Sequence, residues 1–300
     1  MLAYGIGRGD EVIVPSFTFI ATANCVKMVG AKPVFADIED KTYGLDGADV
    51  YRKISARTKA IIAVHYAGCP CDIENLAAFA EGEGLLLIED ACEAMGAEVN
   101  GIKCGTIGDA GVLSFCQNKI ITTGEGGAVI TNNREIYEQL KLIRSQGRQE
   151  GDYFGATTKL DYIQLGYNWR MPSMNAALGI SQLDRIVELI KKRWLNAWSY
   201  DEFLPDDVSP MYCAASVYQM YSIRCPNRDK LIEYLRANGV SCGIWFHPIH
   251  FTKYYLDLGY DCRLPVTEKV SSEILSLPMY PDLTTTEIEY ICEKVKEFYA

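Results

Sequence analysis

Leu85-Leu-Leu-Ile-Glu-Asp90 is a short aliphatic run that ends in two carboxylates. A continuous aliphatic strand flanked by helical patterns is typical of a parallel sheet that is covered on both faces. Apolar strands and helical patterns alternate from residue 1 to about residue 190, which predicts an α/β fold with a mostly parallel sheet flanked by helices. The strand candidates are residues 11–15, 33–37, 60–65, 85–89, 111–115 and 128–131.

Asp90 closes one of these strands, where a parallel sheet presents functional side chains. The carboxyl ends of the strands face the ligand crevice in open α/β sheets, and a carboxylate there needs a cationic or hydrogen-bonding partner. Aspartate is also a favoured N-cap residue, so Asp90 is equally a candidate to cap a helix that starts near Ala91. The pattern therefore predicts either a functional carboxylate or a helix cap.

A second strand candidate leads into a lysine and a glycine-rich turn. The segment reads Ser114-Phe-Cys-Gln-Asn-Lys119-Ile-Ile-Thr-Thr-Gly124-Glu-Gly-Gly127, with apolar runs on both sides. Lys119 is therefore expected on a loop just past a strand end. Burial there disfavours the charged form of an amine and makes its nitrogen available for Schiff-base chemistry. A solvated surface charge is the alternative for any single lysine.

The strand-end aspartate, the lysine, the hydroxyl of Ser114 and the glycine turn form a recognisable set. Pyridoxal phosphate needs an amine for its aldehyde, a carboxylate for its pyridine nitrogen and hydrogen-bond donors for its phosphate. These residues alone thus predict an enzyme that uses pyridoxal phosphate.

Further motifs surround this set and resemble those of a known family. In chain order they are Gly5-Ile-Gly-Arg-Gly-Asp-Glu-Val-Ile-Val-Pro15-Ser-Phe-Thr-Phe19-Ile-Ala-Thr-Ala-Asn24, Gly30-Ala-Lys-Pro-Val-Phe-Ala-Asp37-Ile38, Glu89-Asp-Ala-Cys-Glu93-Ala94, Tyr167-Asn-Trp-Arg170-Met171, Ala176-Ala-Leu-Gly-Ile-Ser-Gln182-Leu183, His247-Pro-Ile-His250 and Leu275-Ser-Leu-Pro-Met-Tyr-Pro281. The chain resembles the DegT/DnrJ/StrS-type aminotransferases, pyridoxal-phosphate-dependent enzymes of fold type I that aminate nucleotide-linked keto-sugars. The family also contains dehydratases that use a histidine in place of the lysine, so Lys119 favours transamination.

The resemblance implies a role for each matching residue of the cofactor site. Lys119 would be the Schiff-base lysine and shuttle the proton, and Asp90 would pair with the pyridine nitrogen. Phe19 would stack on the ring, Ser114 would donate to the phosphate, and Asn168 would reach the phosphate held by the partner subunit. From the residues alone, Phe19 is also a core candidate, and Ser114 and Asn168 are also capping or turn candidates.

Glu93 and two histidines complete the candidate site. Glu93 stands where the family often has a glutamine or histidine that contacts the phenolic oxygen of the cofactor, so a carboxylate departs from the pattern. His247 and His250 follow the strand candidate 241–246, in a segment that the resemblance places near the sugar side of the site. A purely structural role is the alternative for each histidine.

The formal net charge of −10 argues against a nucleic-acid partner, which would need a basic face. It also means that a site for an anionic nucleotide-sugar has to gather cations locally. The candidates are Arg144, Arg148, Lys159 and Arg170, with Arg170 assigned to substrate binding. Ordinary surface charge is the alternative for each of them.

Eleven cysteines are scattered without regular spacing, which is typical of a reducing cytoplasm and not of a disulfide scaffold. Cys69-Pro-Cys71 is the one tight pair, but no second pair lies at zinc-site spacing, so no metal site is predicted. The chain starts without the basic and apolar regions of a signal peptide, and no apolar run reaches membrane-spanning length. We therefore expect a cytoplasmic protein with no membrane partner.

The chain is predicted to divide at about residue 190, with a helix over 172–194 as the link. Residues 1–190 would form the large cofactor-binding domain and residues 191–300 a smaller α+β domain. The resemblance also implies a homodimer, glutamate as amino donor, and a segment before Gly5 whose helix N-terminus holds the cofactor phosphate. This sequence begins without that segment. A truncated, weakly active enzyme and a non-catalytic sensing or pairing protein are therefore alternatives to an active aminotransferase.

Overall fold

A six-stranded sheet forms the centre of the N-terminal half of the chain. The computed structural model describes residues 1–149 and 161–300. The strands of the sheet are β1 (Glu11–Pro15), β2 (Lys32–Ala36), β3 (Thr58–Val64), β4 (Leu86–Asp90), β7 (Ala110–Ser114) and β8 (Gly127–Ile130), and a hairpin of β5 (Glu98–Val99) and β6 (Ile102–Lys103) lies between β4 and β7 in sequence. The order is β2-β1-β3-β4-β7-β8, and only β8 runs antiparallel to its neighbour. The predicted mostly parallel sheet is confirmed.

Helices cover both faces of this sheet. The α-helices of the described residues, including those of the C-terminal part, are α1 (Ala21–Met28), α2 (Gly47–Lys53), α3 (Ile73–Glu83), α4 (Arg134–Arg144), α5 (Ser173–Leu183), α6 (Ile186–Phe203), α7 (Arg228–Ala237), α8 (Lys253–Asp257), α9 (Pro265–Glu273) and α10 (Thr285–Tyr299). Successive residues of β1 point to opposite faces. Val12 and Val14 pack with Val26 of α1, whereas Ile13 packs with Val50 of α2 and Leu76 of α3. This two-sided burial explains why the strands read as continuous apolar runs.

A smaller antiparallel sheet lies in the C-terminal part of the chain. Its strands are β9 (Ser209–Pro210), β10 (Tyr221–Arg224) and β11 (Ile274–Leu277), in the order β11-β10-β9. The buried face of α10, formed by Ile288, Ile291, Cys292 and Val295, packs into the same apolar cluster as Ile223 and Leu275. The side chain of Thr284 caps the first turn of α10. The C-terminal elements therefore have an apolar core of their own.

Two predicted elements differ from the structure. The helix expected over 172–194 is interrupted at Arg185, whose φ of −107° separates α5 from α6. Helix α6 then continues to Phe203, through the position of the predicted division at residue 190. The strand expected over 241–246 is reduced to a single bridge between Gly243 and Ser276. The guanidinium of Arg236 donates to the carbonyl of Cys242, next to this bridge.

A disulfide joins Cys69, which follows β3, to Cys213, which precedes β10. The scattered cysteines did not predict it, because the two residues are 144 positions apart. The other nine cysteines are thiols. Within the described part of the chain, no helix combines the length and the apolar character needed to cross a membrane.

Candidate active site

The carboxyl ends of β4 and β7 bring the predicted cofactor residues to one edge of the large sheet. Asp90 is the last residue of β4 and pairs in register with Val64 of β3 and Val112 of β7. Ser114 ends β7 two residues later, and the loop that carries Lys119 starts there. Residues 91–97 form turns and no helix, so Asp90 is not a helix N-cap.

The carboxylate of Asp90 is half-buried and is held by two hydrogen bonds. Thr22 Oγ1 donates to Oδ2 over 2.8 Å, and the backbone N–H of Cys92 donates to Oδ1 over 3.3 Å. Asp90 takes part in none of the ion pairs found between described residues. It lines a largely apolar cavity of about 620 Å³, together with Val112 and Trp169. A carboxylate in such surroundings is prepared for a cationic ligand atom.

Lys119 lies beside Glu93 in a nearly buried ion pair. Its Nζ is 3.3 Å from Glu93 Oε1, and only 14% of the lysine side chain is exposed. The other oxygen of Glu93 accepts the backbone N–H of Ala67 over 2.9 Å. Burial raises the pKa of Glu93, and the opposing effect of Lys119 and the Ala67 N–H does not cancel it. The structure thus places the departure from the family pattern, Glu93, directly against the predicted catalytic amine.

Side chains from distant parts of the chain hold the Lys119 loop. Gln219 donates its amide to the Asn118 carbonyl over 2.6 Å, and Gln182 of α5 accepts the Thr122 N–H over 3.1 Å. Sequence reasoning did not find Gln219 or the Thr22 contact with Asp90. Thr22 lies inside a quoted motif but without a distinguishing pattern, and nothing in the sequence around Gln219 connects it to residue 118.

The remaining cofactor candidates lie around this edge. Ser114 is half-buried, and its Oγ accepts the Cys116 N–H over 3.3 Å, which leaves the hydroxyl hydrogen for another acceptor. Phe19 is 60% exposed, with its ring centroid 6.1 Å from that of Phe246, so it is not a core residue. Asn168 is exposed on an extended segment that bridges to Ser145. Tyr167 and Trp169 line the cavity beside Asp90, whereas Asn168 does not.

The candidate substrate residues are not gathered at Lys119. His250 is buried against Ser16, which accepts the His250 N–H and lies 2.6 Å from Nδ1. Burial lowers the pKa of His250, so its ring is neutral and holds the segment after β1. His247 is exposed, and Arg170 is exposed and donates to Ser145 Oγ over 3.2 Å. Lys159 lies outside the described residues.

Two buried glutamates in this region should respond to pH in opposite directions. Although burial alone would raise it, hydrogen bonds from His65, Gly108 and Gly105 hold the pKa of Glu89 below its usual value. The pKa of Glu93 is raised. The stability that Glu89 contributes is therefore present above about pH 4.5 and lost as pH falls, whereas Glu93 favours folding at low pH and less so as pH rises.

Glu93→Gln should gain stability relative to the wild type as pH rises from 4.5 to 8, by about 2–5 °C in Tm. Glu89→Gln should be less stable than the wild type at pH 7, with a deficit that shrinks in acid. Thermal unfolding of the cofactor-free proteins over this range tests both trends, and each variant is the control for the other. If the stability of both variants relative to the wild type changes in the same direction with pH, the opposite pKa shifts of Glu89 and Glu93 are contradicted.

The side chains at this edge fit pyridoxal phosphate. Asp90 offers a half-buried carboxylate for a protonated ring nitrogen, Lys119 offers a nearly buried amine, and Ser114 offers a hydroxyl. A mostly parallel sheet with these groups at the carboxyl ends of its strands defines a pyridoxal-phosphate-dependent transferase of fold type I. The chain belongs to the DegT/DnrJ/EryC1/StrS aminotransferase family, whose model matches residues 1–296.

Individual relatives are similar over nearly the whole chain. A pleiotropic regulatory protein of Geobacillus stearothermophilus is 37% identical over 99% of this chain and 80% of its own length. A GDP-perosamine synthase of Caulobacter vibrioides is 37% identical over 97% of this chain and 80% of its own length. The PLP form of the putative sugar aminotransferase Spr1654 of Streptococcus pneumoniae has a TM-score of 0.90 at 27% identity, over 97% of this chain and 81% of that one. The predicted family, fold class, cofactor and enzyme class, a nucleotide-sugar aminotransferase, are confirmed.

Proposed function

We propose that this enzyme takes an amino group from glutamate and transfers it to the keto carbon of a sugar carried on a nucleotide. The assignment of residues rests on the position of Lys119. This residue lies on the loop that follows β7, beside the strand end that carries Asp90, and its Nζ is 3.3 Å from Glu93 Oε1. An amine and a carboxylate at neighbouring strand ends are the two groups that pyridoxal-phosphate chemistry requires.

Each of these side chains has a separate task in the proposal. Pyridoxal phosphate supplies, when bound, an aldehyde carbon for an amine and a ring that accepts electrons. Asp90 keeps a proton on the ring nitrogen, and Lys119 Nζ takes up and returns the proton of the substrate carbon. Glu93 Oε1 accepts a hydrogen bond from Lys119 Nζ over 3.3 Å and so holds the amine in position.

A basic cavity supports an anionic substrate. Three of the four arginine and lysine candidates from the sequence, Arg144, Arg148 and Arg170, line one cavity of about 820 Å³. Its lining also contains Lys141 and Glu138, which form an ion pair with each other. Clustering of cations is what a protein of net charge −10 needs in order to bind a nucleotide diphosphate. We therefore assign Arg170 to the diphosphate of the substrate, with His247 a candidate for the sugar.

We further propose that the enzyme is a homodimer in which Asn168 serves the site of the second copy. Helix α5 has no buried residue although it carries Met174, Leu178 and Ile180, which are all exposed. An exposed apolar helix is a typical interaction surface. Asn168 is exposed and does not line the cavity of its own chain, which supports a role in the second copy.

Mixing Lys119→Ala chains with Asn168→Ala chains should restore activity, because one site of each mixed dimer then has both residues. With random pairing, half of the dimers are mixed and each has one intact site, so turnover in the donor half-reaction should be about a quarter of the wild-type value. The Asn168→Ala variant alone is assayed at limiting cofactor. The measurement is the absorbance change on adding glutamate after the variants are unfolded and refolded together. If the mixture has no more turnover than the mean of the two separate variants, Asn168 does not contribute to the active site of the second copy.

A substrate panel tests the function itself. The purified protein is incubated with pyridoxal phosphate, one amino acid and one keto-sugar linked to GDP, UDP or dTDP, and the aminated sugar is measured by mass. GDP-linked sugars come first because one relative is named GDP-perosamine synthase. Glutamate should be the best donor. Absence of product with every sugar, from protein that carries the cofactor, would remove the proposal.

One relative favours a second candidate function. The pleiotropic regulatory protein is as similar in sequence as the synthase, so a non-catalytic role in sensing or pairing is the alternative. In that case the protein would bind a nucleotide-sugar without turnover in any donor half-reaction. We retain the cytoplasm as the proposed compartment, because most of the cysteines are thiols.

A further inference from the structure

The disulfide between Cys69 and Cys213 joins two segments that are in contact in other ways. Cys69 follows the 3-10 turn Tyr66–Gly68, and Cys213 precedes the stretch that leads into β10. Within this contact the Val217 N–H donates to the Gly68 carbonyl over 3.0 Å. The covalent bond therefore joins the segment after β3 to the segment that connects β9 and β10.

Both segments also hold the Lys119 site. On the first segment, the Ala67 N–H donates to Glu93, whose other oxygen pairs with Lys119. On the second segment, Gln219 donates to the Asn118 carbonyl, next to Lys119. The position of Lys119 thus depends on two contacts, and the disulfide connects the two segments from which they come.

The joined segments store backbone strain. Ala67 has φ 57° and Tyr218 has φ 48°, so each segment contains a non-glycine residue in the left-handed region. Such residues persist where the surrounding structure fixes them. A Cβ on Gly68 would lie 2.7 Å from Val217 Cγ2 and 2.9 Å from the Glu93 carbonyl oxygen, so the contact has no free space. Losing the covalent bond would allow this strained contact to relax.

We propose that Cys69 and Cys213 form a reversible redox site, which fixes the Lys119 loop when oxidised and loosens it when reduced. A thiolate of a dithiol reductant attacks Sγ of Cys213, and Sγ of Cys69 leaves and takes a proton. The second thiol of the reductant then resolves the mixed disulfide, so that two electrons pass to the protein and the dithiol becomes a disulfide. Attack is directed to Cys213 because it is half-buried, whereas Cys69 is fully buried.

The surroundings restrict the exchange to this pair. Cys71 lies two residues from Cys69, but burial raises the pKa of its thiol far above the usual value, so it is a poor nucleophile. In a compartment that keeps thiols reduced, disulfides are usually transient and redox-sensing. A single disulfide among nine thiols is the pattern expected of such a site. The proposal goes beyond amino transfer and rests on it only for the effect on turnover.

The test compares the full chain after treatment with oxidised and with reduced dithiothreitol. A non-reducing peptide map should contain the Cys69–Cys213 peptide in the oxidised sample alone. Reduction should lower Tm by about 5–10 °C. It should also speed acetylation of Lys119 about fivefold or more in cofactor-free protein, with exposed Lys253 as internal standard. Cys213→Ser should behave like the reduced wild type, and Cys262→Ser, which removes a half-buried free thiol, should keep the full response.

The possible outcomes separate the claims. If no linked peptide forms after oxidation, there is no redox site. If the peptide forms but Lys119 acetylates equally fast in both states, the disulfide is only a structural cross-link and the coupling is overturned. Reduction and reoxidation of the wild type decide this even if Cys213→Ser does not fold. If the acetylation rate of Lys119 depends on the redox state but the protein aminates no sugar, the proposed function is wrong and the redox site is still supported.

Discussion

Lys119→Arg should fold normally, bind pyridoxal phosphate without covalent attachment, and lose turnover by about 1000-fold or more. The arginine keeps a positive charge beside the nearly buried Glu93, so the ion pair that stabilises the loop is preserved. A guanidinium does not lose its proton in proteins, so it is neither a nucleophile nor a base at this position. The variant therefore separates the chemical role of Lys119 from its structural one.

Borohydride reduction followed by peptide mass analysis is the direct measurement. The wild-type peptide that contains residue 119 should gain the mass of the cofactor, and the variant peptide should not. Lys103→Arg is a suitable control, because Lys103 is 57% exposed and pairs with Glu98 at the hairpin of β5 and β6. It should be unchanged in attachment and turnover. Cofactor mass on another lysine of the wild type would show that Lys119 is not the attachment residue.

The sheet was predictable because its signal is local and repeated. The central strands β1, β3 and β4 are largely buried on both faces, so each appears as an aliphatic run. The predicted bounds of the six strands differ from the observed ones by at most two residues. Parallel strands then place their carboxyl ends together, which is why Asp90 and the Lys119 loop were expected at one edge. The strand-end rule thus predicted that Asp90 and the Lys119 loop lie at one edge of the sheet, whereas the residue roles came from the family resemblance.

The contacts that complete the site had no local signal. Thr22 is 68 residues from Asp90 and Gln219 is 101 residues from Asn118, and such pairs leave no periodic pattern in the sequence. His250 followed an apparent strand and was expected near the sugar, but the fold buries its ring against Ser16. Polar side chains at strand ends can face a ligand or a neighbouring loop, and only the tertiary structure distinguishes the two.

Asp90→Asn should retain the fold and the covalent cofactor but lower turnover by about 100–1000-fold. Asparagine has nearly the same shape, and its one carbonyl oxygen can still accept a hydrogen bond from Thr22 or the Cys92 N–H. It carries no negative charge, so the ring nitrogen of the cofactor loses the carboxylate that keeps its proton. A neutral ring accepts electrons poorly, and for that reason the loss should fall on the rate constant of the donor half-reaction more than on cofactor affinity.

Asp37→Asn is the matched control, because Asp37 follows β2 at the same edge of the sheet. Its oxygens accept the backbone N–H groups of Val266 and Thr267 at the start of α9, and it is buried. Removing that charge should cost about 1–2 kcal/mol of unfolding free energy, since it stabilises a helix N-terminus, and should leave the half-reaction rate within about twofold. Stopped-flow absorbance with glutamate measures the rates, and chemical denaturation measures the stabilities. If both variants slow the half-reaction equally, Asp90 acts through stability, and the electrostatic role assigned to it is wrong.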